Sequence, residues 1–532
     1  MRNILLADAE NGVGPRTIPQ TPVCNGPELL SRRRARGRRE PMANAIRVRR
    51  KREILSRDDV ERIHLAALDI LDGTGIAVHS RKARKLLREG GCEVNEKSAL
   101  VRIPQNLVVE CARKNNRAVV FCGRTKRHDA RLDFEHTYVC SDGNGTEAVD
   151  LETRSRRPSR KSDVAMSALV SDALKGHAIN WPNVTSQDVP QGTRHIHDLQ
   201  ASLENTEKHI TIATNTTAWE AEDVLDIAEA AAGGADELRR RPLISSIHTS
   251  FSPLQIEGES LDAGLVMADA GIPICFYVMP GPGSTGPATL AGSVALAVAE
   301  TLAGNTIFQL HRPGTAFVFS CGIANLDMKT STRAGGGPEH GLTSAAYAQM
   351  AHYYGFPALV GGFVTTAKEP DEQAAYEKFA SAVSPILAGA DMIAGIGLLE
   401  DCRTLWLEQL VIDDEIARII ARIAEGIVVD EETVALDVIT RVGVGRDYLG
   451  QRHTMEHFRR EHFMPVVSDR TSYDTWKAKG SRSILERARD EVRRILREHS
   501  VEPVRSEVGE VCQRLLRRRT EQSAGRATPS RS

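Results

Sequence analysis

The residues of this chain that could do chemistry gather at the ends of its β-prone runs, and acids and bases are scarce among them. Residues 361–378 read GGFVTTAKEPDEQAAYEK: two glycines and Phe363, a polar turn holding Thr365 and Thr366, then a helix start. Aromatic residues make up only 5% of the chain. Even so, Trp181, Phe251, Phe276, Tyr277, Phe319 and Phe363 all stand at or near the ends of such runs. A set of ring faces holds a quaternary ammonium by cation–π attraction, at about 0.5–2 kcal/mol per contact. The competing reading is plain packing, since alternate positions of a strand fill a core. Trp181 is the least typical of a packing residue, because Pro182 follows it directly at the end of its run.

Two glycine-rich loops add backbone donors: PGPGSTGPAT at 280–289 and RAGGGPEH at 333–340, the second opening a helix. Either presents N–H groups to a carboxylate or phosphate, or lies flat enough for a large planar cofactor. Pro338, Glu339 and His340 fit a first helical turn, where proline and an acid are favoured for structural reasons. His340 reads equally as a capping-region residue and as a site residue. The pentapeptide HTMEH at 453–457 matches the H-x-x-E-H pattern of one zinc peptidase class. Arginines at 459 and 460, a position beyond the periodic region and the lack of a third-ligand helix favour a salt-linked packing helix, so no metal is expected. No Walker loop, nucleophile elbow, kinase set or dinucleotide fingerprint occurs, and no carboxylate pair is spaced for hydrolysis. Catalytic residues in the acid–base sense stay unassigned.

The charge balance narrows the function classes. Lysine and arginine number 69 against 70 acids, so no polyanion-binding footprint covers the chain and nucleic acid is not an expected partner. The imbalance is local: between Arg32 and Arg52 stand eleven basic residues and one acid, Glu40. Nine scattered cysteines, never spaced as CxxC, argue against a disulfide framework or a cysteine-rich zinc site. Asp8 and Glu10 interrupt the apolar start, and no later run approaches the ~20 apolar residues of a membrane span, so a cytoplasmic protein with no membrane partner is expected.

The elements that must position the candidate residues alternate. Eight apolar, β-prone runs begin at 136, 178, 209, 243, 272, 315, 357 and 391, and seven helix-spaced segments separate them. That is the count of a (β/α)8 TIM barrel. A doubly wound sheet needs fewer strands and a phosphate fingerprint after the first, where this chain has SDGNGTE. The barrel is placed at 131–400. Before it lie a basic tail without expected fixed structure, 1–53, and an α/β lead-in, 54–130, opened by the capping box Ser56-Arg-Asp-Asp59. After it come a C-terminal helical extension, 401–500, and a C-terminal helix with a loose tail, 501–532. A barrel carries its site at the carboxyl ends of the strands. The substrate-binding candidates are therefore Trp181, Phe276, Tyr277, Phe319, Glu339, His340, Phe363 and Thr366.

Longer stretches carry a family signal: TRSRRPSRKSDV (153–164), GGGPEHGLTSAAYAQMAHYYGFP (335–357), TAKEPDEQAAYEK (366–378), LVIDDEIAR (410–418) and HTMEHFRREHFMPVVSDRTSYDTW (453–476). In these the chain resembles the trimethylamine methyltransferase family, in the branch that lacks pyrrolysine and includes glycine betaine methyltransferases. The resemblance implies methyl transfer from a methylated amine to the Co(I) corrinoid of a separate, cognate corrinoid-binding protein. It implies no tightly bound cofactor, since the partner brings the cobalamin, and a homo-oligomeric enzyme. A quaternary amine loses a methyl group without any proton leaving with the nitrogen, so positioning suffices and a site without a base is understandable. With no pyrrolysine present, a quaternary substrate is expected, glycine betaine or a similar compound. For a substrate carboxylate the glycine-loop amides, Arg312 and His340 are candidate partners. Ala367 stands where the family often has an acid. The alternatives are a betaine-binding barrel without turnover and a zinc-dependent barrel methyltransferase.

Overall fold

The computed structural model describes residues 44–115 and 118–526. Eight strands form the expected barrel: β1 (His136–Ser141), β2 (Ile179–Asn180), β3 (His209–Ile212), β4 (Ile244–Phe251), β5 (Ile274–Val278), β6 (Phe317–Cys321), β7 (Ala358–Gly361) and β8 (Met392–Ile396). Each pairs in parallel with the next and β8 pairs with β1, so the ring closes without an edge. The connecting helices are α1 (Lys161–Ala173), α2 (Arg194–Asn205), α3 (Ala218–Ala232), α4 (Gly258–Ala270), α5 (Leu290–His311), α6 (Pro338–Tyr354) and α7 (Glu372–Ala388). An eighth, α8 (Leu407–Glu425), packs on both α7 and α1 and completes the outer ring, although it begins beyond residue 400. Two more helices, α9 (Ile484–Glu498) and α10 (Ser506–Arg526), lie outside α8 and α3 respectively.

Strand alternation sorts every barrel side chain to one of two cores. Tyr138, Cys140, Ile179, Trp181, Ile247, Cys275, Tyr277, Val318 and Leu359 share the interior cluster. Residues of the opposite parity, Val139, Ile244, Phe276, Phe317, Phe319 and Val360, belong to the cluster between strands and helices. The floor of the interior is closed by a hairpin of the lead-in, Val119–Phe121 with Ala130–Leu132, whose apolar residues join the interior cluster. Phe121 stacks on His209 there, at 4.3 Å between ring centroids. Helix α5 is long and apolar enough by composition to cross a membrane, yet 83% of its apolar window is buried, between β5 and the lead-in helices Arg57–Asp69 and Gln105–Arg113.

The lead-in follows its sequence signals closely. Ser56 Oγ accepts from Asp59 N and the Asp59 carboxylate accepts from Ser56 N, which starts the helix Arg57–Asp69 as a capping box. The basic tail up to residue 43 lies outside the described residues. Its expected last residues do fold: Ala45–Arg47 form a strand antiparallel to the start of β1, with Ile46 opposite Thr137. The eight described cysteines are free thiols.

The carboxyl ends of β7 and β8 are held by a buried ion pair. Lys378 of α7 and Asp413 of α8 are fully buried and 2.8 Å apart. Lys378 Nζ also donates to Phe363 O at 2.8 Å, and Asp413 Oδ2 accepts from Gly397 N at 2.8 Å. Gln409 Nε2 satisfies the other carboxylate oxygen at 2.7 Å. Removing one partner strands the other's charge in a dry interior. Lys378→Met is expected to lower unfolding stability in urea by about 3–5 kcal/mol; a loss below ~1 kcal/mol, the scale of an exposed pair, would show that the ion pair does not clamp the strand ends.

Candidate active site

A cavity of about 350 Å³ opens at the carboxyl ends of the strands. It is built from β1 through Asp142, Gly143 and Asn144, from β2 through Trp181, from β4 through Ile247 and Thr249, and from β5 through Tyr277 and Met279. Arg333 and Cys402 reach it from the loops after β6 and β8. Trp181 and Tyr277 meet edge to face with centroids 6.0 Å apart, and so make the aromatic wall.

The backbone sets both rings. Ser141 Oγ accepts from Trp181 N and donates to Trp181 O, both at 2.7 Å, which pins the indole-bearing residue to the end of β1. A Cβ on Gly143 would stand 1.8 Å from Trp181 Nε1, so only glycine lets the chain pass the indole. Tyr277 lies on Gly322 in the same way, with 2.8 Å from a Cβ built there to its Oη. Asn183 Nδ2 donates to Asp142 O at 3.0 Å and Ile396 O at 2.9 Å, tying the ends of β1 and β8 together beneath the cavity.

The cavity carries one group of each sign. Burial raises the Asp142 carboxyl above the usual range; the Cys402 thiol and the Gly143 N–H oppose that shift, the latter at 2.9 Å from Oδ1. Arg333 is partly exposed. Burial works against its charge, but Asp401 overrides it, and the guanidinium pKa lies above its ordinary value. Arg333 Nη1 donates to Asp401 Oδ1 at 2.9 Å and Nη2 to Gly322 O at 3.3 Å. Burial and then Asp142 push the Cys402 thiol well up, only partly offset by Arg333, so it stays protonated at neutral pH. The Tyr277 phenol is likewise held far above its normal range, first by burial and then by Asp142.

Residues Glu400, Asp401 and Cys402 all have left-handed φ, at 55°, 54° and 71°. Three such non-glycine residues in succession store strain of about 1–3 kcal/mol each. The turn is held by Glu400 N to Ala367 O at 2.9 Å and Asp401 N to Thr365 O at 2.8 Å. The ledge at 365–367 therefore supports the turn that carries Asp401 and Cys402.

Of the residues singled out from sequence, Trp181 and Tyr277 line the cavity and the others do not. Phe276 and Phe319 are corrected by strand parity. Phe276 packs against Phe308 and Phe317, and Phe319 against Phe356, Tyr347 and Tyr354, all on the helix side. Phe363 follows the end of β7 in a left-handed conformation, φ 49°, and joins the outer cluster; its carbonyl serves Lys378. The Thr366 hydroxyl is taken up by Glu377 and Gln373. Glu339 sits in the first turn of α6 as its composition predicts. His340 is buried behind the wall, with Nδ1 2.8 Å from Ile323 O. Burial and then Arg333 lower its pKa to about 4, so it is neutral. Arg312 caps the far end of the barrel, where its Nη1 donates to Ala268 O and Asp269 O at 2.5 Å.

The loop RAGGGPEH also differs from expectation. Its glycines make room for the protein's own carboxylates: Cβ atoms on Gly335 and Gly336 would stand 2.2 Å from Asp401 Oδ1 and 2.3 Å from Glu377 Oε2. In HTMEH, His453 and His457 stack at 4.2 Å, Arg452 pairs with Glu456 at 2.6 Å, and His457 lies 3.6 Å from Glu432. Asp142, Gly143, Asn144, Thr249 and Met279 stand at the carboxyl ends of their strands, where a barrel carries its site, and so follow from the fold. Arg333 and Cys402 do not, because they sit on loops whose course over the mouth the sequence does not specify.

The profile of the family described as "Trimethylamine methyltransferase (MTTB)" matches residues 29–524. The chain is 32% identical over 449 residues to trimethylamine methyltransferase MttB of Desulfitobacterium hafniense, covering 84% of this chain and 90% of that one. The chain belongs to the trimethylamine methyltransferase family. Another relative is the glycine betaine methyltransferase of Desulfitobacterium hafniense (strain Y51), 31% identical over 428 residues, 80% of this chain and 88% of that one. Among solved structures, monomethylamine methyltransferase MtmB of Methanosarcina barkeri aligns over 84% of this chain and 94% of its own, with TM-score 0.43 and 14% identity.

In this trimethylamine methyltransferase family member the indole position is the feature most open to test. Gly143→Ala is expected to displace Trp181 and weaken binding of a quaternary ammonium probe such as tetramethylammonium at least tenfold by calorimetry, with the circular dichroism spectrum kept. Unchanged affinity would take the aromatic wall out of ammonium binding.

Proposed function

We propose that this methyltransferase demethylates a small zwitterionic quaternary amine, glycine betaine or a similar compound, with a Co(I) corrinoid held by a partner protein as the methyl acceptor. The observation that carries the substrate reading is the composition of the cavity: the Trp181 and Tyr277 rings and the Asp142 carboxylate line it together with the Arg333 guanidinium. The ring faces and the Asp142 carboxylate favour a trimethylammonium group. The guanidinium N–H groups not used by Asp401 and Gly322 favour a carboxylate. A plain methylamine uses the first half of this arrangement only.

The chemistry asks little more of the protein than alignment. When the C–N bond breaks, its electron pair stays on nitrogen as the lone pair of a tertiary amine, so no proton has to be delivered. The rings hold the substrate with one methyl group toward the opening, and the low-dielectric walls leave the positive charge poorly solvated, which favours its loss. Bound at the mouth, the acceptor supplies the nucleophile. The side chains support that need: the cavity thiol, Cys402, is held protonated, and the phenol of Tyr277 likewise. Exposed apolar side chains stand beyond the strand ends, Phe251 at the end of β4, Met279 after β5 in the cavity lining, and Met328 over Gly283, and such side chains suit a flat macrocycle.

The direct test supplies Co(I) cobalamin, free or carrier-bound, with a panel of quaternary amines, and follows methylcobalamin by absorbance. Turnover of a carboxylate-bearing amine is expected, and none across the panel, with betaine binding retained, would leave a binding barrel without catalysis. Arg333→Met is expected to raise KM for glycine betaine at least tenfold while leaving choline, which lacks the carboxylate, within about twofold; equal losses on both would remove Arg333 as the carboxylate partner. Asp142 contributes attraction only when ionised. Because its pKa is raised, betaine affinity is expected to fall with decreasing pH before the ordinary aspartate range near 4 is reached; Asp142→Asn is expected to flatten that dependence.

A further inference from the structure

One ring nitrogen of His340 is left without a use by its own surroundings. The residue stands in the first turn of α6 and is fully buried. Its Nδ1 lies 2.8 Å from Ile323 O, and a carbonyl oxygen only accepts, so Nδ1 carries the proton and Nε2 is a bare lone pair. That atom has no hydrogen-bond partner among the described residues. The Gly361 backbone beside it would favour a protonated ring, yet burial and then Arg333 lower the pKa to about 4 and keep the imidazole neutral. A buried acceptor in that state is costly unless a donor reaches it.

The phenol of Tyr277 is placed to be that donor. A Cβ on Gly361, the last residue of β7, would stand 2.6 Å from His340 Nε2 and 3.6 Å from Tyr277 Oη, so both groups approach the same bare point. A Cβ on Gly322, just after β6, would stand 2.8 Å from the same phenol oxygen. Two strand ends thus carry glycine where any side chain would come between the imidazole and the phenol. Among the described residues no other hydrogen bond engages the Tyr277 hydroxyl. Burial and then Asp142 keep it protonated, so its hydrogen is there to give.

The contact would matter for what the ring does. Tyr277 lines the cavity and meets Trp181 edge to face at 6.0 Å, which fixes the ring from one side only. A cation is attracted to the face of an aromatic ring and not to its edge, so the turn of the ring decides how much of that attraction is available. A hydrogen bond at the hydroxyl fixes the far end of the ring and leaves its face where the cavity needs it.

We infer that His340 is a positioning residue of the aromatic wall: its Nε2 accepts from the Tyr277 hydroxyl, directly or across one water, and holds the ring face toward the substrate ammonium. The inference rests on the reading of that wall as the ammonium site. The test pairs Tyr277→Phe, which removes only the hydroxyl, with His340→Leu, singly and together, and reads tetramethylammonium binding by calorimetry beside the thermal melt of each protein. Each single variant is expected to weaken binding about three- to tenfold, and the double variant no further than the weaker single one, because both remove the same contact. His340→Gln, which keeps an acceptor, is expected to stay within about twofold of the wild type. A second readout needs no ligand: the ultraviolet resonance Raman doublet of tyrosine, taken as wild type minus Tyr277→Phe, is expected to show a donating phenol. Losses that multiply in the double variant, or a phenol that does not donate in the wild type, overturn the inference. Tyr277→Ala separates it from the reading beneath it. A loss of affinity there with none in Tyr277→Phe keeps the ring in the site and overturns the His340 contact alone, whereas undiminished affinity in Tyr277→Ala overturns the aromatic wall itself.

Discussion

A lysine and an aspartate buried in apolar surroundings are tolerable only as a pair, and the mouth of this barrel is arranged around one such pair. Lys378 and Asp413 come from neighbouring outer helices and spend their remaining hydrogen-bonding capacity on Phe363 O, Gly395 O and Gly397 N, at the ends of β7 and β8. Those strand ends launch the ledge at 365–367 and the left-handed turn at 400–402. The turn places Asp401 against Arg333 and Cys402 against Asp142. The polarity of the cavity thus derives from an ion pair that never touches it. A hydrophobic replacement of both partners would keep the packing and lose the hydrogen bonds that fix the strand ends.

Much of the architecture was legible because the periodicities are strong and consistent. Every one of the eight β-prone runs became a strand, and the capping box Ser56–Asp59 starts its helix where it stands. What the sequence leaves open is parity. In IPICFYVMP, Phe276 and Tyr277 are adjacent aromatics of similar size, and register alone decides that Tyr277 enters the barrel. Its cross-strand neighbours, Thr249 and Ser320, are polar, whereas those of Phe276 are His248 and Phe319. Opposite Phe276, Gly304 of α5 leaves room for the ring, with a Cβ built there only 2.7 Å from it. That glycine in the middle of α5 is a trace of the outward choice that the sequence holds.

The site residues divide on the same physical line. Trp181 was identifiable because it ends a strand and precedes a proline. Arg333 was not, because its place over the cavity depends on a long-range contact with Asp401, 68 positions away. Thr366 and Phe363 were attractive for being polar or aromatic near a strand end, yet each is consumed by its own neighbourhood: Thr366 by Glu377, Phe363 by the outer core. Hydrogen-bond satisfaction, which has no sequence signature at this range, separates residues that hold a site from residues that face its ligand.

Helix α8 has a consequence that reaches beyond the cavity. Glu408, Gln409 and Asp413 occupy its first turns, at the level of the strand ends; Glu415, Arg418 and Arg422 follow and hold the later chain at Val467, Met464 and Glu461. At about 1.5 Å per residue, its nineteen residues make a rod of roughly 28 Å whose two duties meet between Asp413 and Glu415. The helix can drift in sequence only where neither duty falls. Asp413, which holds Lys378, Asp414, which accepts from Gly176 N, and Glu415, which accepts from Val467 N, stand in succession at its centre, so a change of backbone direction there would disturb all three.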